Sequence, residues 1–136
     1  MSEEQYAKGD MLDLIVTVLR ANQRFKELVG NHLKIYTYPE SDKKAPLFVT
    51  VVPMDPPAPE LAGSDDLLGQ RFYFQINVEG LDRHDVKEVA AIVRMTMSGL
   101  NFAQLETGLD QYFKDTHRYV DARRYQGGSK IYDNQY

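Results

Sequence analysis

The chain has 136 residues, 43% apolar and 26% charged, with a mean hydropathy of −0.48, which is room for one domain of globular composition and excludes a disordered chain. It contains no cysteine, so disulfides, thiolate nucleophiles and Cys-ligated metals are excluded, as suits a reducing compartment. Twenty acidic residues against sixteen basic ones leave a net charge of −4, and the electrostatic footprint of a general nucleic-acid binder is missing.

Residues 1–9 are polar and read as an N-terminal arm. Met11, Ile15, Val18, Phe25 and Val29 then fall on one helical face, with Leu14 and Leu28 beside them, which predicts a helix over 10–29. Asp10 supplies its N-terminal cap, and Gly30-Asn31 supplies residues that stop a helix in the left-handed region. Leu33, Ile35 and Thr37 alternate with Lys34, Tyr36 and Tyr38, predicting a strand over 32–38 that Pro39 ends. Residues 47–52 are apolar on both faces, as an interior strand would be, and the two strands are expected to form a hairpin.

Residues 53–69 carry Pro53, Pro56, Pro57, Pro59 and Gly63 and are predicted to be a long loop, because proline removes backbone donors. Loops this long in a small domain are uncommon and usually functional. Met54, Asp55, Leu61, Asp65 and Asp66 are therefore its candidate assembly residues. The stretch 70–79 alternates cleanly: Phe72, Phe74, Ile76 and Val78 on a core face, and Arg71, Tyr73, Gln75, Asn77 and Glu79 on a wet one.

Asp82 and Asp85 then mark a helix start, and Val86, Val89, Ala90, Val93, Met97 and Leu100 recur at helical spacing, with Gly99 as the stop. Phe74 and Val93, at the centres of these two faces, are expected to meet. Residues 102–106 alternate weakly and 107–110 turn. Residues 112–125 read as one strand with charges on both faces, as an edge that meets another subunit would have, and Gln126-Gly127-Gly128 loosens the chain into a C-terminal tail over 127–136. The order α-β-β-(loop)-β-α-β-β predicts a single α+β domain over 1–136: two layers, a mixed or antiparallel sheet, two helices on one face.

Little of this points to chemistry. His32, His84 and His117 lie far apart, none near another ligand-competent His or Cys, so neither a metal nor another cofactor is expected. Asp65-Asp66 could pair as catalytic carboxylates, but they sit among Gly63, Ser64 and Gly69 with no apolar run to raise a pKa, and read as turn residues. No nucleophile elbow, phosphate loop or dinucleotide fingerprint occurs, and an enzyme is not expected. Arg118, Arg123 and Arg124 interleaved with Tyr119 and Tyr125 resemble a base-stacking surface, yet Asp115 and Asp121 dilute it, and no sequence-specific nucleic acid is expected. Tyr and Arg are the residue types of interface anchors, so Tyr112, Arg118, Tyr119, Arg123, Arg124 and Tyr125 are the candidate subunit interface. Residues 1–82 carry net −5 and 83–136 net +1, so unlike surfaces of two copies attract. With no apolar stretch long enough to cross a membrane and no signal-like start, no membrane contact and a cytoplasmic location are expected.

Four segments together resemble the small tail-component proteins of siphophages and prophages of Gram-positive bacteria: Ile35-Tyr36-Thr37-Tyr38-Pro39-Glu40-Ser41, Pro53-Met54-Asp55-Pro56-Pro57, Phe74-Gln75-Ile76-Asn77-Val78-Glu79, and Gly108-Leu109-Asp110-Gln111-Tyr112-Phe113 with Arg118-Tyr119-Val120-Asp121-Ala122-Arg123-Arg124-Tyr125. The element order is similar to that of tail-terminator or tail-completion proteins. The resemblance implies a non-enzymatic virion protein that forms a hexameric ring on the tail tube and docks head-completion proteins. It would assemble in the host cytoplasm and end in the virion tail. The alternative is a monomeric cytoplasmic binding module that grips its ligand with residues 53–69.

Overall fold

The computed structural model describes residues 11–40, 43–54, 58–62 and 66–130, of which 58–62, 66–70, 129 and 130 are described by backbone alone. Met11–Ala21 (α1) and Gln23–Val29 (α2) carry the expected apolar stripe, burying Met11, Leu12, Ile15, Leu19, Phe25 and Val29. The single helix expected over 10–29 is broken at Asn22. Its backbone is extended, and its side-chain oxygen accepts from the Phe25 N–H at 2.9 Å. Asn competes with the helical ladder through such local bonds, so it ends one helix and caps the next. Gly30 closes α2 in the left-handed region, at φ 60. The expected cap Asp10 lies outside the described residues.

Leu33–Ile35 (β1) pairs with Leu47–Pro53 (β2) in parallel, Leu33 opposite Val49 and Ile35 opposite Val51, so the expected hairpin is corrected. The reason lies in the connection. Tyr38 stacks on Phe48 with ring centroids 4.0 Å apart and, with Ala45, forms a small second core. Phe48 alternates with Leu47 and Val49 of the main core, so this cluster sits on the other face of the sheet. A tight hairpin would leave both rings in water; Tyr38 and Ala45, on either side of the undescribed pair 41–42, pack with Phe48 instead.

The expected loop over 53–69 is also corrected, for it contains Ala58–Ala62 (β3) and the start of Asp66–Gly80 (β4). β3 pairs antiparallel with β4, Ala58 opposite Arg71 and Ala62 opposite Asp66. β2 and β3 lie along the same side of β4, β2 ending at Pro53 opposite Phe74 and β3 resuming opposite Arg71. The described prolines fall where the ladder tolerates them: Pro53 at the end of β2, and Pro59 in a strand that pairs with β4 on one side.

Along β4, Phe72, Phe74, Ile76 and Val78 are buried, as read. Arg83–Gly99 (α3) lies over them, burying Val86, Val89, Ala90, Val93 and Met97. Asp82 caps it, accepting from the His84 and Asp85 N–H groups at 2.8 and 3.3 Å. The left-handed residue beyond its end is Asn101, φ 68, rather than Gly99. Phe74 and Val93 belong to one buried cluster.

Phe102–Phe113 (β5) and Arg118–Lys130 (β6) form an antiparallel pair, so the turn expected over 107–110 is strand and the strand expected over 112–125 is two strands. His117, at φ 58, makes the turn between them. Gly127 and Gly128 do not loosen the chain: both pair with β4, and a Cβ on Gly127 would stand 2.6 Å from Cγ of Phe102. Glycine is required there by close approach. Of the expected tail, 131–136, and of the expected arm, 1–9, nothing falls among the described residues.

The six strands form one mixed sheet in the order β1-β2-β4-β6-β5, with β3 alongside the first part of β4. The fold is α+β in two layers, as expected, with three helices among the described residues, since the first expected helix is split at Asn22. At 15 residues β4 is about 50 Å long, whereas the 17 residues of α3 span about 25 Å.

Candidate assembly surface

β6 is not an edge. It lies between β4 and β5, and this changes the meaning of nearly every residue proposed from its sequence. Tyr125 stands opposite Phe74 and is 1% exposed, a core residue whose phenol burial pushes up to about 12. Arg118 is also buried. Its Nη2 donates to the Lys43 and Ala45 carbonyls at 2.7 and 2.8 Å, its Nε faces the Glu79 carboxylate at 3.7 Å, and its guanidinium lies over the Phe48 ring. It ties residues 43–45 to the sheet. Arg118 Nη1 has no hydrogen-bond partner among the described residues. Burial raises the Glu79 carboxyl, with Arg118 and Lys43 opposing the shift.

Asp121, read from sequence as a dilution of the arginines, is the centre of a network. The register sets Val78, Asp121 and Asp110 side by side across β4, β6 and β5. Two carboxylates directly opposite one another repel. Lys87, from the first turns of α3, resolves this by donating its Nζ to both, to Asp121 at 2.8 Å. Arg123 forks onto Asp121 with two bonds of 2.7 and 2.9 Å and reaches Gln104 on β5 at 3.3 Å. Burial alone would raise the Asp121 carboxyl, but the hydrogen bonds from Arg123 and Lys87 outweigh it and hold the group below its usual range. The network pins α3, β6 and β5 together. Arg124 lies on the uncovered face, its Nε donating to Gln75 at 2.9 Å.

What remains accessible is β5, the true edge, exposed along most of its length. Leu109, Tyr112 and Phe113 are large apolar side chains left open there. Tyr112 rests against the half-buried Tyr119 with centroids 4.7 Å apart, and its hydroxyl meets His117 Nδ1 at 3.1 Å. A register shift between Gln104 and Gly108 opens a hollow of about 370 Å³ in this edge. Of the candidate loop residues, Met54 is exposed just after β2, Leu61 lies in β3 and Asp66 opens β4, while Asp55 and Asp65 lie outside the described residues.

Sequence reasoning missed Lys87, which bonds Asp121 from 34 positions away and Asp110 from 23, and Gln104, which Arg123 reaches from 19 positions away. One signal was present: Asp121 and Arg123, two apart, share a strand face and can pair. Among the described residues no cluster of His and carboxylates could hold a metal ion, and no helix is long and apolar enough to cross a membrane.

No protein-family model matches the chain, and no curated protein matches it by sequence. Among solved structures, a chain from the virion of a native gene transfer agent particle has a similar fold, with a TM-score of 0.63 and 18% identity, over 85% of this chain and 91% of the other.

Proposed function

We propose that this chain is a structural protein of a phage-like particle, a tail-terminator or head–tail joining component that forms a ring at the head-proximal end of the tail. The observation that carries the reading is the fold it shares with a gene transfer agent virion chain across nearly the whole of both. The surface supports it: an exposed, apolar-studded edge strand tied to α3 and β6 by the ion pairs around Asp121 suits assembly through surface complementarity. Its partners in this reading are further copies of itself, in a hexamer, with the tail-tube protein below and head-completion proteins above. It would assemble in the host cytoplasm and then reside in the virion.

The subunit contact belongs on β5 and Tyr112 rather than on Tyr125 or Arg118, which are used up inside the subunit. Light scattering with negative-stain electron microscopy tests the reading. Closed rings with the mass of six copies are expected. A monomer at every concentration would overturn it.

A further inference from the structure

Tyr36 is a solvent-facing aromatic with a strained backbone. Tyr36 ends β1 with φ 68, a region that bulky side chains rarely enter. Its N–H donates to the Val51 carbonyl at 2.9 Å, and the Thr37 N–H donates to the Ile35 carbonyl at 2.8 Å. This closes a three-residue turn of the rare positive-φ kind around Tyr36. Strain of this sort persists where the surroundings impose it, and it gathers at functional positions. Here it aims an aromatic ring outward, 60% exposed, beside Ile35, 44% exposed. Among the described residues no ring contact or side-chain hydrogen bond holds that ring.

The sheet order places this knob and the β5 hollow on opposite edges of the subunit. The hollow is mostly polar, lined by Gln104, Glu106, Thr107, Asp110 and Arg123, with Leu109 as its large apolar side chain, so it offers Leu109 to a ring and polar groups to a phenol hydroxyl. The two edges are also unlike in charge. Asp110 on β5 is already paired with Lys87, which leaves Glu106 as that edge's acidic group, and β1 carries Lys34 and no acidic residue. A contact between these two unlike edges would join copies of the chain head to tail.

We infer that Tyr36 of one subunit anchors in the β5 hollow of the next. This rests on the ring reading above and specifies its contact. A heterologous contact between opposite edges produces a closed ring when its rotation closes.

The test uses the full chain and two variants. Tyr36→Gly removes the ring, and glycine adopts φ 68 freely, so the fold is kept. Leu109→Glu places a charge in the hollow at an exposed position. By sedimentation velocity each variant alone is expected to stay monomeric at concentrations where the wild type assembles, with association weaker on the order of 30-fold, as for loss of an interface anchor. Mixed together they are expected to form a one-to-one dimer, since one supplies the intact hollow and the other the intact knob. A wild-type ring with unchanged assembly of Tyr36→Gly, or a mixture without dimer, overturns the contact and leaves the ring standing. A wild-type monomer overturns both.

Discussion

Asp121 shows how much a single side chain decides in this protein. At 1% exposure it takes hydrogen bonds from Lys87 and Arg123, whose own side chains remain about a quarter exposed. Because its carboxyl is held below the usual range in the folded state, ionisation favours folding. That stability is present above the unfolded carboxyl's ordinary value near pH 4 and is lost as pH falls through the lower folded value. Asp121→Asn should cost about 1–3 kcal/mol at neutral pH, with Lys87 and Arg123 turning partly to water. It should also flatten the acid limb of the stability curve. Urea melts of both proteins from pH 7 down to pH 3 check this, and parallel curves would assign the acid limb to other carboxylates.

At the scale of elements, the best periodic segments are also the ones that carry the core. Phe74 is 3% exposed and meets Phe102 edge-on at 5.7 Å, whereas Tyr73 lies on the face without helices. Phe74→Ala should cost about 3–5 kcal/mol. Tyr73→Ala should cost far less, and thermal melts compare the two directly. β3 presents the opposite case, since it pairs with β4 alone. Replacing residues 56–66 with a short Gly/Ser linker removes one edge strand and should leave a cooperative melt, because loop-length changes cost only about 0.6 kcal/mol per doubling. Loss of cooperative unfolding would make β3 part of the folding unit. Its sequence hid it: Pro56, Pro57 and Pro59 outweigh a five-residue strand in any local reading, and only the unpaired side of β4 reveals why the chain returns there. The break at Asn22 was similarly obscured, because the apolar stripe runs on through it.

Across the whole molecule, protection should follow position in the sheet. β4 and β6 are paired on both sides and covered by α3, while β1, β3 and β5 each keep an open edge. Native-state hydrogen exchange on dilute protein should therefore find the slowest amides in 72–78 and 120–126 and faster ones in β5. Raising the concentration until the protein assembles should slow the amides of β5 and of the β1 edge around Tyr36. Equal slowing along the helices instead would put the contact on the other layer.

Period alone was enough for the α+β class, the helix after Asp82 and the alternation from Phe72 to Val78, because those elements bury one face and a repeating apolar pattern is the direct signature of that. Pairing was not legible in the same way. Whether β1 and β2 run parallel, and whether 112–125 is one strand at an edge or parts of two strands, depends on partners far away in the chain. Tertiary structure decided those questions, by burying Tyr38 against Phe48 and by setting β6 between β4 and β5. It thereby turned Arg118 and Tyr125 inward, gave Asp121 its two cations and left Tyr36 and Leu109 in water: the free energy of a tyrosine or an arginine depends on what covers it, and its neighbours in sequence do not specify that.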